Sequence, residues 1–136
     1  MADQTVQLFV YGTLMPGFSN YGRIADHVRS ARPGTIQGVL VDLGAFPALI
    51  HGEGRVEGVL LELDAAAIRI TDFIEGFHPE QESSLYVREM IQVDLDEGET
   101  IDAWTYYFAN PEQIADRPRL IATEVDGISI CRWPAE

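Results

Sequence analysis

Residues 6–11, VQLFVY, are β-branched or aromatic almost throughout, and they predict a buried first strand that stops at Gly12-Thr13. Residues 36–43 (IQGVLVDL) and 55–63 (RVEGVLLEL) predict two more strands, each with an interior glycine. Gly38 and Gly58 there point to bulges or sharp coiling of a sheet. The stretch between them, GAFPALIHGEG, is turn-rich, with Pro47 expected at an edge. Residues 86–95 (YVREMIQVDL) and 100–108 (TIDAWTYYF) predict a hairpin around DEGE, with Trp104, Tyr106 and Phe108 on one face by period-two alternation.

Helical spacing is scarcer. Residues 21–29 predict a short helix. The clearer case is LDAAAIRITDFIEGF, residues 63–77, where Asp64 is a good N-cap, three alanines favour helix and Gly76 ends it. Ile70, Phe73, Ile74 and Phe77 follow helical spacing and are expected to face the core. A last turn is expected near Pro111. Strands outnumber helices and several bend. The expected architecture is α+β: a small, curled or closed, barrel-like mixed sheet with a few flanking helices.

The 136 residues, 46% hydrophobic, predict one domain over 1–136 with a core of its own. No apolar run approaches a membrane span. The start, MADQTVQ, has neither the basic opening nor the apolar stretch of a secretion signal, and Cys131 is the only cysteine. A cytoplasmic location is expected. The formal charge of −13 is uneven, with 7 acids and 4 bases in residues 1–68 against 15 and 5 in residues 69–136. Such a chain repels nucleic acid and anionic lipid, so neither is an expected partner. All nine basic residues are arginine, which excludes Schiff-base chemistry and a P-loop.

Candidate chemistry is sparse. His27, His51 and His78 lack metal-ligand spacing, Cys131 stands in no cysteine-protease signature, and no GxSxG or GxGxxG occurs. The acid cluster PEQES, residues 79–83, reads as a solvated loop, and Asp72 as ordinary helix polarity. Glu75 is the oddly placed carboxylate. It closes the predicted helix, where the negative end of the dipole pushes its pKa upward, and burial beside Phe73 and Phe77 would raise it towards the range of a general base. A solvated helix-end glutamate is the competing reading. For residues 12–14 the competitors are a plain turn and a nest of backbone N–H groups holding an anion.

Several motifs, in order, carry a resemblance. YGTL at 11–14, GVLVDLGAFP at 38–47, VEGVLLEL at 56–63, DFIEGF at 72–77, SLYVR at 84–88 and WTY at 104–106 together resemble the γ-glutamylcyclotransferase-like (AIG2-like) family. The likeness spans residues 6–108. It implies a β-barrel-like mixed sheet with helices outside, and a reaction in which the α-amino group of a γ-glutamyl substrate attacks its own γ-carbonyl. The products are 5-oxoproline and a freed amine or amino acid. Because the substrate brings its own nucleophile, no cofactor and no metal are implied. The resemblance makes Glu75 the catalytic general acid/base, residues Gly12, Thr13 and Leu14 the nest for substrate, and Tyr11 and Tyr86 pocket-lining residues. Arg88 is expected as a structural ion-pair partner. The tail, DGISICRWPAE, departs from the S-G-D-W-like ending common in the family. A non-catalytic protein holding an amino-acid-like ligand in the same pocket is the alternative. A carboxylate-pair glycosidase built on Asp72 and Glu75 fails because the two share one helical face.

Overall fold

Alternation along the first strand, β1 (Thr5–Val10), splits its side chains between two apolar environments, and the whole architecture follows that division. The computed structural model describes residues 4–44, 46–77, 84–120, 123–125 and 128–133. Four further long strands follow: β2 (Val28–Asp42), β3 (Pro47–Asp64), β4 (Tyr86–Leu95) and β5 (Thr100–Phe108). They run in the order β1-β5-β4-β2-β3, and β1 pairs again with β3, closing the ring. The β1–β5 pairing is parallel and the others antiparallel, so the barrel is mixed. Two short strands, β6 (Thr123–Val125) and β7 (Ile128–Cys131), extend the sheet from β3 and went unread in the sequence.

One apolar cluster draws Phe9, Tyr11, Ile36, Leu60, Val93 and Tyr107 from all five barrel strands and nothing from any helix; it is the barrel interior. The other joins Leu8, Val10, Leu61, Leu63, Tyr86 and Tyr106 to α1 (Ala67–Glu75), the one α-helix among the described residues. Ile70, Ile74 and Phe77 pack there as expected, but Phe73 does not: it is 71% exposed. The predicted N-cap is also displaced. Asp64 ends β3 and takes a 2.6 Å hydrogen bond from Arg29 Nε, with His27 at 3.5 Å, while Ala66 precedes the helix without a side-chain cap. Gly76 ends α1 in the left-handed region, φ 69°, as the sequence indicated.

Residues 21–29 are not an α-helix. Two 3-10 turns, Tyr21–Arg23 and Ala25–His27, lead into β2. The β2–β3 hairpin is longer than predicted, because Asp42 already pairs with Pro47. The turn signal in HGEG is instead a bulge: Gln37 pairs with Arg55 and Val39 with Ile50, so residues 51–54 loop out opposite Gly38. The hairpin around DEGE and the turn at Pro111–Ile114 form where predicted. Among the described residues no helix is long and apolar enough to cross a membrane.

Candidate functional site

Where β1 runs out, the chain turns through residues 11–20, and this turn forms one wall of a cavity of about 120 Å³. The turn is held by its own main chain: Met15 N–H donates to the Gly12 carbonyl at 3.0 Å and Asn20 N–H to the Thr13 carbonyl at 2.8 Å. The Asn20 amide adds a 2.8 Å bond to Thr13 Oγ1. Among the described residues none accepts from the N–H groups of Gly12, Thr13 or Leu14. Three donors with no acceptor among the described residues, in residues that line a cavity, are the kind of group that can hold a carboxylate or an oxyanion.

At Gly12 the structure adds a contact that the sequence did not show. Its φ is not positive, and a Cβ added there would lie 2.8 and 2.9 Å from Cγ and Cδ of Pro47. The close approach that glycine permits is therefore to the proline ring, which lines the cavity's other side. Pro47 in turn accepts, through its carbonyl, the Tyr86 hydroxyl at 2.8 Å. Gly12→Ala is expected to displace Pro47 and lower stability by about 1–3 kcal/mol. Denaturant melts would read this, and an unchanged midpoint would mean that the ring moves aside freely.

Glu75 closes α1 and enters the cavity from the helix side, half-buried. Burial pushes its carboxyl up from 4.5 to about 7. Desolvation, rather than the helix dipole expected from the helix-end position, is the cause. Tyr11 and Tyr86 both line the cavity and both feel Glu75. Their phenols are raised by burial first and then by its negative charge. Neither hydroxyl is bonded to Glu75. Tyr11 donates to the Tyr106 carbonyl at 2.6 Å and Tyr86 to the Pro47 carbonyl, so each phenol proton is committed. The Tyr86 oxygen keeps acceptor capacity for a ligand, whereas the Tyr11 oxygen is already met by the Leu49 backbone N–H.

Asp72 was expected as ordinary helix polarity, but it holds two partners from the sheet. It is 14% exposed, accepts the Tyr106 hydroxyl at 2.5 Å and lies 3.6 Å from Arg88, which bears out the ion-pair role expected of Arg88. The guanidinium stacks over the Phe77 and Trp104 rings at 5.3 and 5.0 Å. Thr71 Oγ1 approaches the same Tyr106 hydroxyl at 2.7 Å. This network ties the last turn of α1 to β4 and β5, fixing where Glu75 points. Asp72→Asn removes the charge facing Arg88 and is expected to cost about 1–3 kcal/mol. A change below about 0.5 kcal/mol in urea melts would return Asp72 to surface status.

Every sequence-selected site residue, namely Tyr11, Gly12, Thr13, Leu14, Glu75 and Tyr86, lines this one cavity. Sequence reasoning missed Asn20, Phe46, Ile74, Leu85 and Tyr106 as lining residues. Phe46-Pro47 stood inside a quoted motif and was legible in principle; Asn20 carried no signal. Of the other candidates, His51 stacks on Tyr107 at 4.0 Å and pairs with Glu89, while His78 and residues 79–83 lie outside the described residues. Among the described residues no three of His, Cys, Asp and Glu converge as metal ligands. Cys131 is buried, with its thiol pushed up by burial, and does not line the cavity.

Comparison with known proteins places these features in company. Residues 8–125 match the model of a family described as gamma-glutamyl cyclotransferase, AIG2-like. A Niallia circulans protein named gamma-L-glutamyl-butirosin B gamma-glutamyl cyclotransferase is 32% identical over 112 residues, covering 81% of this chain and 71% of its own. An AIG2-like protein from Mus musculus superposes with a TM-score of 0.62 at 26% identity, covering 80% of this chain and 82% of its own. YkqA from Bacillus subtilis superposes at 0.63 with 24% identity over 78% of this chain, and likeness at that identity shows the fold alone; the match spans 36% of YkqA.

Proposed function

The chain belongs to the gamma-glutamyl cyclotransferase, AIG2-like family, and on that premise we propose that it converts a γ-glutamyl amine or γ-glutamyl amino acid to 5-oxoproline, with Glu75 as the general acid/base. The family and the named relative support the coarse activity. One observation carries the finer reading: a half-buried carboxyl near neutrality lines the same small cavity as residues 12–14, whose backbone N–H groups have no acceptor among the described residues.

The α-carboxylate of the glutamyl head binds at the N–H groups of residues 12–14, and its α-ammonium lies toward Glu75 and the Tyr86 oxygen. The α-ammonium sits beside a free α-carboxylate and is more basic than a peptide terminus, which titrates at about 8, so a carboxylate at its ordinary 4.5 is a poor acceptor of that proton. At about 7 the match is better by about 2.5 units, roughly 3 kcal/mol. Glu75 takes one proton and the freed amine attacks the γ-carbonyl carbon. The bond from that carbon to the leaving nitrogen then breaks as Glu75 returns that proton, and Glu75 relays the second proton from the attacking nitrogen to the amine in the same way. Of the three ammonium hydrogens one stays on the lactam nitrogen and two end on the released amine, which departs as ammonium. No net proton is consumed. The cavity favours the bent glutamyl conformer that ring closure requires, since about 120 Å³ is far below the several hundred of a drug-sized site.

The test is product identification with γ-glutamyl methylamide, γ-glutamyl-alanine and γ-glutamyl-lysine isopeptide. The expected result is 5-oxoproline and free amine in equal amounts. Free glutamate would mean hydrolysis by water. Binding without any product would leave the non-catalytic alternative.

A further inference from the structure

Around the mouth of the cavity the chemistry changes. Four large apolar side chains stay exposed among the described residues: Phe46, Phe73, Leu85 and Met90. Two of them, Phe46 at 37% and Leu85 at 48%, line this cavity together with Ile74, while Phe73 and Met90 are not among its lining residues. Scattered apolar residues on a surface need no explanation, but two that meet at one cavity do. The positions are fixed by neighbours. The Phe46 ring meets Tyr86 edge-on at 6.5 Å, and Leu85 lies against Gly76, where an added Cβ would be 3.2 Å from its own.

Positive charge is missing from the same place. No arginine or histidine is among the described lining residues, and Arg88 is engaged by Asp72. The three N–H groups of residues 12–14 are the anion site, and the glutamyl head uses it. A second carboxylate, on the leaving portion, would lie near Glu75 without a cation, on a chain whose formal charge is −13. An amino acid attached through its α-nitrogen brings that carboxylate two bonds from the scissile nitrogen, directly into the apolar mouth.

Resting on the proposed γ-glutamyl chemistry, we infer that the leaving group is an apolar primary amine without a carboxylate, an alkyl or aryl-alkyl amine whose hydrocarbon lies on Phe46, Ile74 and Leu85. The head is recognised by polar groups inside the cavity and the tail by apolar contact at its rim. Selectivity of this kind is set by the hydrocarbon contact on one side and by unpaired charge on the other.

Four compounds decide it: γ-glutamyl methylamide, butylamide and phenethylamide, and γ-glutamyl-phenylalanine, which is the phenethylamide with a carboxylate added. With kcat/KM measured from 5-oxoproline release, phenethylamide is expected to exceed methylamide about tenfold or more, with butylamide between. Phenethylamide should exceed γ-glutamyl-phenylalanine by at least the same factor. Phe46→Ser should cut the phenethylamide-to-methylamide ratio severalfold, and Leu85→Ser, at a second exposed position, should do likewise. Equal rates for phenethylamide and methylamide, or for the phenylalanine compound and its amide, would overturn the inference while leaving the cyclisation itself intact. A flat ratio together with a dimer that Phe46→Ser dissociates would assign the rim to a second copy of the chain, again overturning it. Absence of 5-oxoproline from all four compounds would overturn the cyclisation reading, and this inference with it.

Discussion

Glu75→Gln is expected to lower kcat for 5-oxoproline release by about 10²–10⁴-fold and, at pH 8, to make the protein more stable rather than less. The two effects share one cause. Burial raises the carboxyl to about 7 from 4.5, so folding the ionised form is disfavoured. For a group whose folded pKa is raised, the stability contribution is fully present below the unfolded value and is lost as pH rises through the folded one. Between about 4.5 and 7 the native state binds a proton that the unfolded chain has released, so stability falls with rising pH across that window. Above it, glutamine removes a cost of about 1–3 kcal/mol. At pH 4 both states carry the proton and the variant gains nothing. Thermal melts of wild type and Glu75→Gln at pH 4 and pH 8, beside turnover at pH 8, check both halves. A variant that loses activity and also loses stability at pH 8 would show that Glu75 is a structural carboxylate.

Gly58→Ala is expected to be the most damaging single methyl group in the barrel. A Cβ at Gly58 would collide with the Val10 carbonyl oxygen and come within 2.6 Å of the Phe9 ring. The Val10 oxygen is backbone at the end of β1, immediately before the turn that carries the N–H groups of the site, so it cannot swing away as a side chain can. On the neighbouring strand Gly34, the partner of Gly58, is similarly closed, with its Cβ position 2.8 Å from the Asp94 carbonyl oxygen. The two glycines allow main chain to cross main chain where the barrel curls most tightly. Overpacking in a core costs about 1–3 kcal/mol where side chains can adjust. With backbone as the obstacle, at least about 3 kcal/mol is expected, and expression in inclusion bodies with loss of the cooperative melt would be the extreme form. A soluble variant with a melt within a degree or two of wild type would mean that β3 is less closely applied to β1 than the geometry states.

The residues selected from the sequence meet at one cavity, while several of the elements around it differ from expectation. The strongest signals in the sequence were local and chemical. A strand ending at Gly12 and a carboxylate closing a helix before Gly76 are legible because short-range chemistry marks them, whereas Tyr11 and Tyr86 are placed only by the family resemblance. The reason for Gly12 was not legible: its neighbour, Pro47, is 35 positions away along the chain, and contacts at that distance leave no local trace. The first half of β2 fails for a related reason. Residues 28–35, VRSARPGT, carry two arginines, a proline and a glycine, and they become strand only because β3 pairs with them. Asp64 illustrates competition. It is a sound N-cap by rule, but Arg29 and His27 approach from the neighbouring strand and turn, and an ion pair takes the side chain first. Phe73 fits the helical period yet stays exposed, because α1 lies at the rim of the barrel and only one stripe of it meets the sheet. Asp72 was undervalued because its partners, Tyr106 and Arg88, come from two other strands.

The pH dependence of kcat/KM for 5-oxoproline release from γ-glutamyl methylamide tests the role of the buried carboxyl most directly. If Glu75 is the base, the acid limb bends at about 7 and falls tenfold for each pH unit below it. Activity that stays level down to pH 5, where only a carboxylate of ordinary pKa remains ionised, would contradict the assignment of Glu75.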